Sequence, residues 1–262
     1  MGPDPFILPL EAILEENERV LFLEVSKEES HFLVYQLGYC QEVDRIKSFV
    51  PTDTVDASIP GRVQRHRLTH LQWHLKLTAR QAFRLYSEWS CKVLVLMGEE
   101  RISHLLEGFL HETLRERIIS RVYGSPAADT RDRKELIENA LRVYKADRET
   151  QAMEDLNHYK PDVIASGLRR VIDVCNLFLV RKLLVSQSLL HKGLVCKEHH
   201  YVSLDETECP FCHARLLPVE NVIDEIVEIA RLHAVNVTIV EYHQELMAKY
   251  DGVVAVTYVP RA

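Results

Sequence analysis

The sequence predicts an α/β protein of two domains, the second carrying a small metal-binding insert. Three observations carry that reading. Strand-like and helix-like segments alternate along 262 residues, a length that accommodates two domains of ordinary size. Lys160-Pro161-Asp162 punctuates the pattern and divides it into 1–160 and 161–262. Within the second part, residues 196–212 read C-K-E-H-H-Y-V-S-L-D-E-T-E-C-P-F-C, a Cys-x2-His pair and a Cys-x2-Cys pair separated by a polar loop.

The first part opens with a short amphipathic helix over residues 9–18, with Pro9 at its start. Residues 19–26, 30–37 and 41–49 are rich in β-branched and aromatic side chains. The Lys27-Glu28-Glu29 and Gly38 breaks between them make a strand meander. Glu24 lies on the first of these strands, where some nucleases place a metal-binding carboxylate. No second and third carboxylate stand at comparable positions, so an edge or solvent-facing glutamate is expected.

Residues 51–61 read as a loop, and 62–90 as one long helix. At 100° per residue, Leu68, Leu71, Leu75, Ala82, Leu85, Tyr86 and Trp89 share the face expected to be buried. Arg62, Arg65, Lys76, Arg80 and Arg84 share the opposite face, and no Asp or Glu occurs between Ala57 and Ser87. That ridge is the candidate RNA-contact surface, reading phosphates. The competing account is a solvated face whose arginines pair with acids elsewhere. His66, His70 and His74 recur every fourth residue, but three in a row along a straight helix do not surround one ion; packing or RNA contact is expected.

Residues 91–97 form a buried strand ended by Gly98, followed by a helix over 99–109 and a helical turn plus strand over 114–122. Gly124-Ser125-Pro126 breaks the chain before a long charged helix over 132–159. The second part then gives a helix over 163–175, a strand over 182–186 and the insert. After it come a helix over 222–233, a strand over 236–240, a short helix over 244–250 and a last strand over 253–259.

Within the insert, spanning 194–216, Cys196, His199, Cys209 and Cys212 are the expected ligands of a zinc ion. Two residues between paired ligands let a tight turn aim both at one centre. His200 competes with His199, and His213 adjoins a ligand. Four protein ligands leave no open position for water, so the zinc is structural. Thiolate and imidazole ligands must be deprotonated, which links metal affinity and local folding to pH. A disulfide from Cys196 to Cys209 or Cys212 is the bland alternative, but nothing points to an oxidising compartment. Cys40, Cys91 and Cys175 sit in apolar runs and are expected as small core residues.

Composition narrows the partners. No apolar run is long enough to span a bilayer, and Met-Gly-Pro-Asp-Pro lacks the basic segment and apolar core of a signal peptide, so a cytoplasmic chain with no membrane partner is expected. The net charge is −7, so any RNA contact must rest on a local patch. No Gly-rich phosphate loop, G-x-S-x-G elbow or zincin helix is present.

The order of elements resembles the middle and C-terminal domains of the archaeal–eukaryotic class-1 peptide-chain release factors, and most of all their divergent bacterial and archaeal relatives. The residues that carry the resemblance are K-L-L-V-S-Q at 182–187, the Cys-x2-His and Cys-x2-Cys pairs, and V-I-D-E-I-V-E-I-A-R-L-H-A-V-N-V-T-I-V from Val222. It implies a ribonuclease-H-like middle domain without nuclease chemistry. It also implies an α/β sandwich resembling kink-turn-binding ribosomal proteins, with an inserted zinc ribbon. Members that hydrolyse peptidyl-tRNA use a Gly-Gly-Gln loop, and this sequence has no adjacent pair among its nine glycines. The chain also begins where the family's middle domain would, without a codon-reading domain. The function implied is non-catalytic docking on the ribosome or a translation factor, in termination or rescue. Two rivals are an RNA or peptidyl-tRNA hydrolase and a protein-interaction scaffold; the sequence does not set the oligomeric state.

Overall fold

The computed structural model describes residues 19–49, 60–124 and 130–260, with side chains for all of these except 60–66 and 130. The expected helix over 9–18 and nearly all of the expected loop over 51–61 lie outside the described residues. The chain forms two compact units, and the division falls between Tyr144 and Lys145, inside one long helix.

In the first unit, strands β1 (Val20–Val25), β2 (Glu29–Gln36) and β3 (Tyr39–Lys47) form the expected antiparallel meander. Strands β4 (Val93–Gly98) and β5 (Ile118–Tyr123) continue it in parallel, giving the order β3-β2-β1-β4-β5. β1 and β4 are buried along their whole length, which explains their nearly continuous apolar sequences V-L-F-L-E-V and V-L-V-L-M-G, broken only by Glu24. Alternate residues serve opposite faces. Leu21, Leu23, Leu94 and Leu96 pack against Leu75, Ala79, Ala82 and Leu85 of helix α1 (Pro60–Glu88). On the other face, Val20, Phe22, Val93 and Val95 meet Ile137, Ala140 and Leu141 of a long helix, Thr130–Leu156. Each fully buried aliphatic side chain contributes about 2 kcal/mol of transfer free energy, so these two layers define the unit.

Three expectations are corrected here. Helix α1 starts at Pro60, two residues earlier than the periodicity indicates, because proline is preorganised for a first helical turn. Leu68, expected on the buried face, is 41% exposed. Glu24, expected at an edge or in solvent, is 1% exposed, because β1 is a central strand covered on both faces.

In the second unit, β6 (Ile164–Ser166), β7 (Val180–Ser186), β11 (Asn236–Val240) and β12 (Val253–Thr257) form a sheet of order β11-β7-β12-β6. β7 and β11 are parallel, while β12 runs antiparallel to β7 and to β6. Helices Leu168–Asn176 and Val222–Leu232 cover one face through Val171, Ile172, Val174, Ile223, Ile226 and Val227. The last turns of Thr130–Leu156 cover the other through Ala152, Met153 and Leu156, packed on Leu184, Val240 and Val254. That packing is why the division falls at Tyr144, before the 160–162 punctuation.

The helix expected over 163–175 begins only at Leu168. A 3-10 turn at Pro161–Val163 and strand β6 precede it, with Ala165 paired to Ala255. Gly167 makes the switch at φ +82°, a left-handed conformation that costs little without a Cβ. The insert is a separate three-stranded antiparallel sheet of β8 (Gly193–Cys196), β9 (Tyr201–Ser203) and β10 (Leu217–Val219), in the order β10-β8-β9. No helix among the described residues is long and apolar enough to cross a membrane.

Candidate metal centre and charged helix

Each ligand pair of the insert sits at a turn. Cys196 ends β8, and His199 follows in the turn to β9. Cys209 and Cys212 lie in a second turn, closed by His213 N–H donating to the Cys209 carbonyl at 2.9 Å and Cys209 N–H to the Ala214 carbonyl at 2.9 Å. His213 takes φ +56° and His200 +49°, left-handed positions that let both turns reverse within a few residues.

The two turns converge. One ligand atom from each of Cys196, His199, Cys209 and Cys212 lies within 4.8 Å of every other. Cys196 Sγ is 3.7 Å from His199 Nδ1 and 3.7 Å from Cys212 Sγ. Sulfurs about 2.3 Å and nitrogens about 2.0 Å from a tetrahedral centre stand about 3.8 Å (S–S) and about 3.5 Å (S–N) apart, so both edges fit one metal ion. His199 is the histidine in the group, and His200 stands outside it. The cysteines are free thiols.

The surroundings push the two thiols of the second pair in opposite directions. Burial works to raise the Cys209 thiol, but backbone N–H donors of Cys212 and Phe211, with the neighbouring thiols, hold it below the usual thiol value. Cys212 goes the other way: the Ala214 N–H pulls it down, yet burial and the sulfurs of Cys209 and Cys196 leave it raised. Crowded thiols that cannot all ionise unaided are what a divalent cation relieves.

Two anchors tie the insert to its unit. Asn176 clamps β9, donating to the Val202 carbonyl at 2.8 Å and accepting from Val202 N–H at 2.9 Å. A Cβ at Gly193 would stand 2.8 Å from Val222 Cγ2, so only glycine lets β8 approach helix Val222–Leu232 this closely. The Phe211 ring, 61% exposed between the second pair of cysteines, stacks on His199 at 5.6 Å.

On helix α1, Lys76, Arg80 and Arg84 are exposed, as the periodicity predicts. Lys76 Nζ lies 5.6 Å from the Phe109 ring centre, and Arg84 is 3.7 Å from Asp44 Oδ2. The side chains of Arg62, Arg65 and His66 lie outside the described residues. The other two histidines part company. His74 is buried, its Nε2 3.0 Å from Ser30 Oγ and its Nδ1 2.8 Å from Ser48 Oγ, while His70 meets the Trp73 ring edge-on. Sequence reading offers no local signal for one closely held carboxylate of the second unit. Glu149 Oε1 accepts from Glu241 N–H at 2.8 Å, and its Oε2 accepts from Tyr242 and His243 N–H at 2.9 and 3.0 Å. These partners lie more than ninety residues away.

The comparisons with known proteins place this two-unit α/β chain among release-factor-like proteins. The family model for bacterial archaeo-eukaryotic release factor family 10 matches residues 5–145, over half of the chain, and the chain belongs to that family. Solved structures share the mixed α/β fold with its several sheets. In a model of ribosome-bound archaeal Pelota and ABCE1, the similar chain is 13% identical, with 94% of this chain covering 63% of that one at a TM-score of 0.59. Dom34 of S. cerevisiae, described as a translation termination-like factor of RNA quality control that interacts with Hbs1, is 10% identical. There 96% of this chain covers 66% of that one at a TM-score of 0.56. The chain thus spans slightly less than two thirds of the length of either protein. No curated protein matches by sequence.

Proposed function

We propose that this chain is a non-catalytic release-factor-like protein that docks on the ribosome or on a translation factor, in termination or rescue. The family match carries the reading, and the fold shared with ribosome-bound Pelota and with Dom34 supports it. The order β3-β2-β1-β4-β5, a meander continued by two parallel strands, supports a ribonuclease-H-like first domain. The second domain is an α/β sandwich of the kink-turn-binding type with a zinc ribbon; its own strands and helices follow the long helix, so the boundary in sequence is taken near residue 160 although the compact units divide within that helix. Structural zinc held by Cys196, His199, Cys209 and Cys212 braces that ribbon, and the cluster geometry supports it.

The chemistry that hydrolytic relatives use has no counterpart in the sequence, which lacks any adjacent pair of glycines. The carboxylate on β1 is engaged by an arginine instead of standing ready for a metal. Contact with rRNA or tRNA runs through Arg62, Arg65, Lys76, Arg80 and Arg84, at a cytoplasmic ribosome. Sedimentation with ribosomes at low and high salt tests the reading. The chain is expected in the ribosomal fraction at low salt and released at high salt. Absence at low salt refutes docking on the ribosome itself.

A further inference from the structure

The exposed side of helix α1 is not simply basic. Trp73, Leu77, Arg80 and Arg84 fall within about 60° of one another at 100° per residue, opposite buried Leu75, Ala79 and Ala82. Trp73 is 57% exposed and Leu77 51%. A tryptophan left in water on a stable helix is surface that folding does not require. His70 meets its ring edge-on at 5.3 Å between centroids, which orients the indole. Among the described residues no ion pair holds Arg80. Arg84 is partly compensated by Asp44. An aromatic platform followed by cations two and three turns along suits a single strand whose base stacks and whose phosphates track the helix. Trp73 and Arg80 are about 10 Å apart along the axis, and Arg84 lies about 6 Å further on.

We propose that Trp73 stacks on an unpaired base of a bound RNA strand while Arg80, with Lys76 and Arg84 beside it, meets the adjoining phosphates. The occupant is single-stranded RNA and not a duplex, whose bases offer no free face to an indole. Charge favours it: this helix carries cations without acids between Ala57 and Ser87, on a chain of net charge −7. The inference rests on the reading that this helix faces RNA, and adds to it an aromatic contact and a strand state.

The test uses the full chain carrying Trp89→Phe, so that Trp73 is its sole tryptophan, titrated with an unstructured oligoribonucleotide and with a duplex of equal length. The single strand is expected to quench Trp73 fluorescence saturably, with affinity falling steeply as salt rises, and the duplex is not. With binding of the variants read from the anisotropy of a labelled oligoribonucleotide, Trp73→Ala weakens it at least about fivefold, Trp73→Phe retains most of it, and Arg80→Ala lowers the salt slope by about one. Absence of quenching, equal binding of the duplex, or an unchanged Trp73→Ala affinity overturns the proposal. If Trp73→Ala still sediments with ribosomes like the parent chain, stacking fails while docking stands. If the parent chain itself does not sediment, docking on the ribosome fails whatever the oligonucleotide does.

Discussion

Arg133 closes over Glu24 in the first unit, donating from Nη2 at 2.6 Å and from Nε at 3.1 Å to one carboxylate oxygen. Glu24 is buried in a central strand, and Arg133 reaches it from a helix more than a hundred residues later in sequence. A buried charge is costly unless it is paired and hydrogen-bonded, and Arg133 supplies a charged partner here.

Arg133→Ala should therefore lower the stability of the first unit by about 3 kcal/mol, because it takes the guanidinium away from a buried carboxylate. Glu24→Leu with Arg133→Met should cost far less, since an apolar pair of similar volume is often tolerated there. Urea unfolding of the two variants checks this. Equal losses would mean that the pair is not coupled.

The metal cluster makes a local prediction. Cys209→Ser should abolish stoichiometric zinc and loosen β8, β9 and the second ligand turn, while both larger sheets stay folded. Elemental analysis and amide exchange report the two halves of that statement. Stoichiometric zinc retained in the variant would refute the ligand set.

His74 supplies a pH dependence. Burial holds its imidazole below the ordinary value of 6.5. The unfolded chain then binds a proton more readily than the folded one, so this contribution is intact above 6.5 and is lost as pH falls below it. Denaturant midpoints should fall more between pH 7 and pH 5 in the parent chain than in His74→Gln. The metal ligands titrate in both proteins and cancel from the comparison. Equal falls would show that His74 does not set the slope.

Glu149 predicts a local effect. Its carboxylate accepts from three consecutive backbone donors, Glu241, Tyr242 and His243, so Glu149→Ala removes an acceptor from each of these part-buried N–H groups. Amide exchange at those three positions should rise well above that of β11, with a global loss of about 1–3 kcal/mol. Unchanged exchange would assign the loop's order to packing alone.

Sequence reading reaches what is periodic or closely spaced. The meander, the buried strand β4, helix α1 and both ligand pairs all announce themselves within a few residues of chain. Three-residue β6 does not, because I-A-S is too short for any period, and its partner Val253–Thr257 lies nearly ninety residues downstream. Glu24 misleads for a related reason. A lone acid in an apolar strand reads as an edge, and the long-range pairing with Arg133 helps to make its burial tolerable. The choice between His199 and His200 is likewise invisible in spacing; the fold brings His199 into the cluster, while His200, at a left-handed φ of +49°, stands outside it. Trp73 is readable as an apolar residue off the buried stripe, and its exposure gives that position meaning.

Titration of purified ribosomes with the labelled chain, at several salt concentrations, tests the central claim most directly. Saturable binding is expected, with affinity falling as salt rises and dropping at least about tenfold when Lys76, Arg80 and Arg84 are all changed to Glu. No saturable binding at low salt, or identical binding by the charge-reversed chain, would contradict the account.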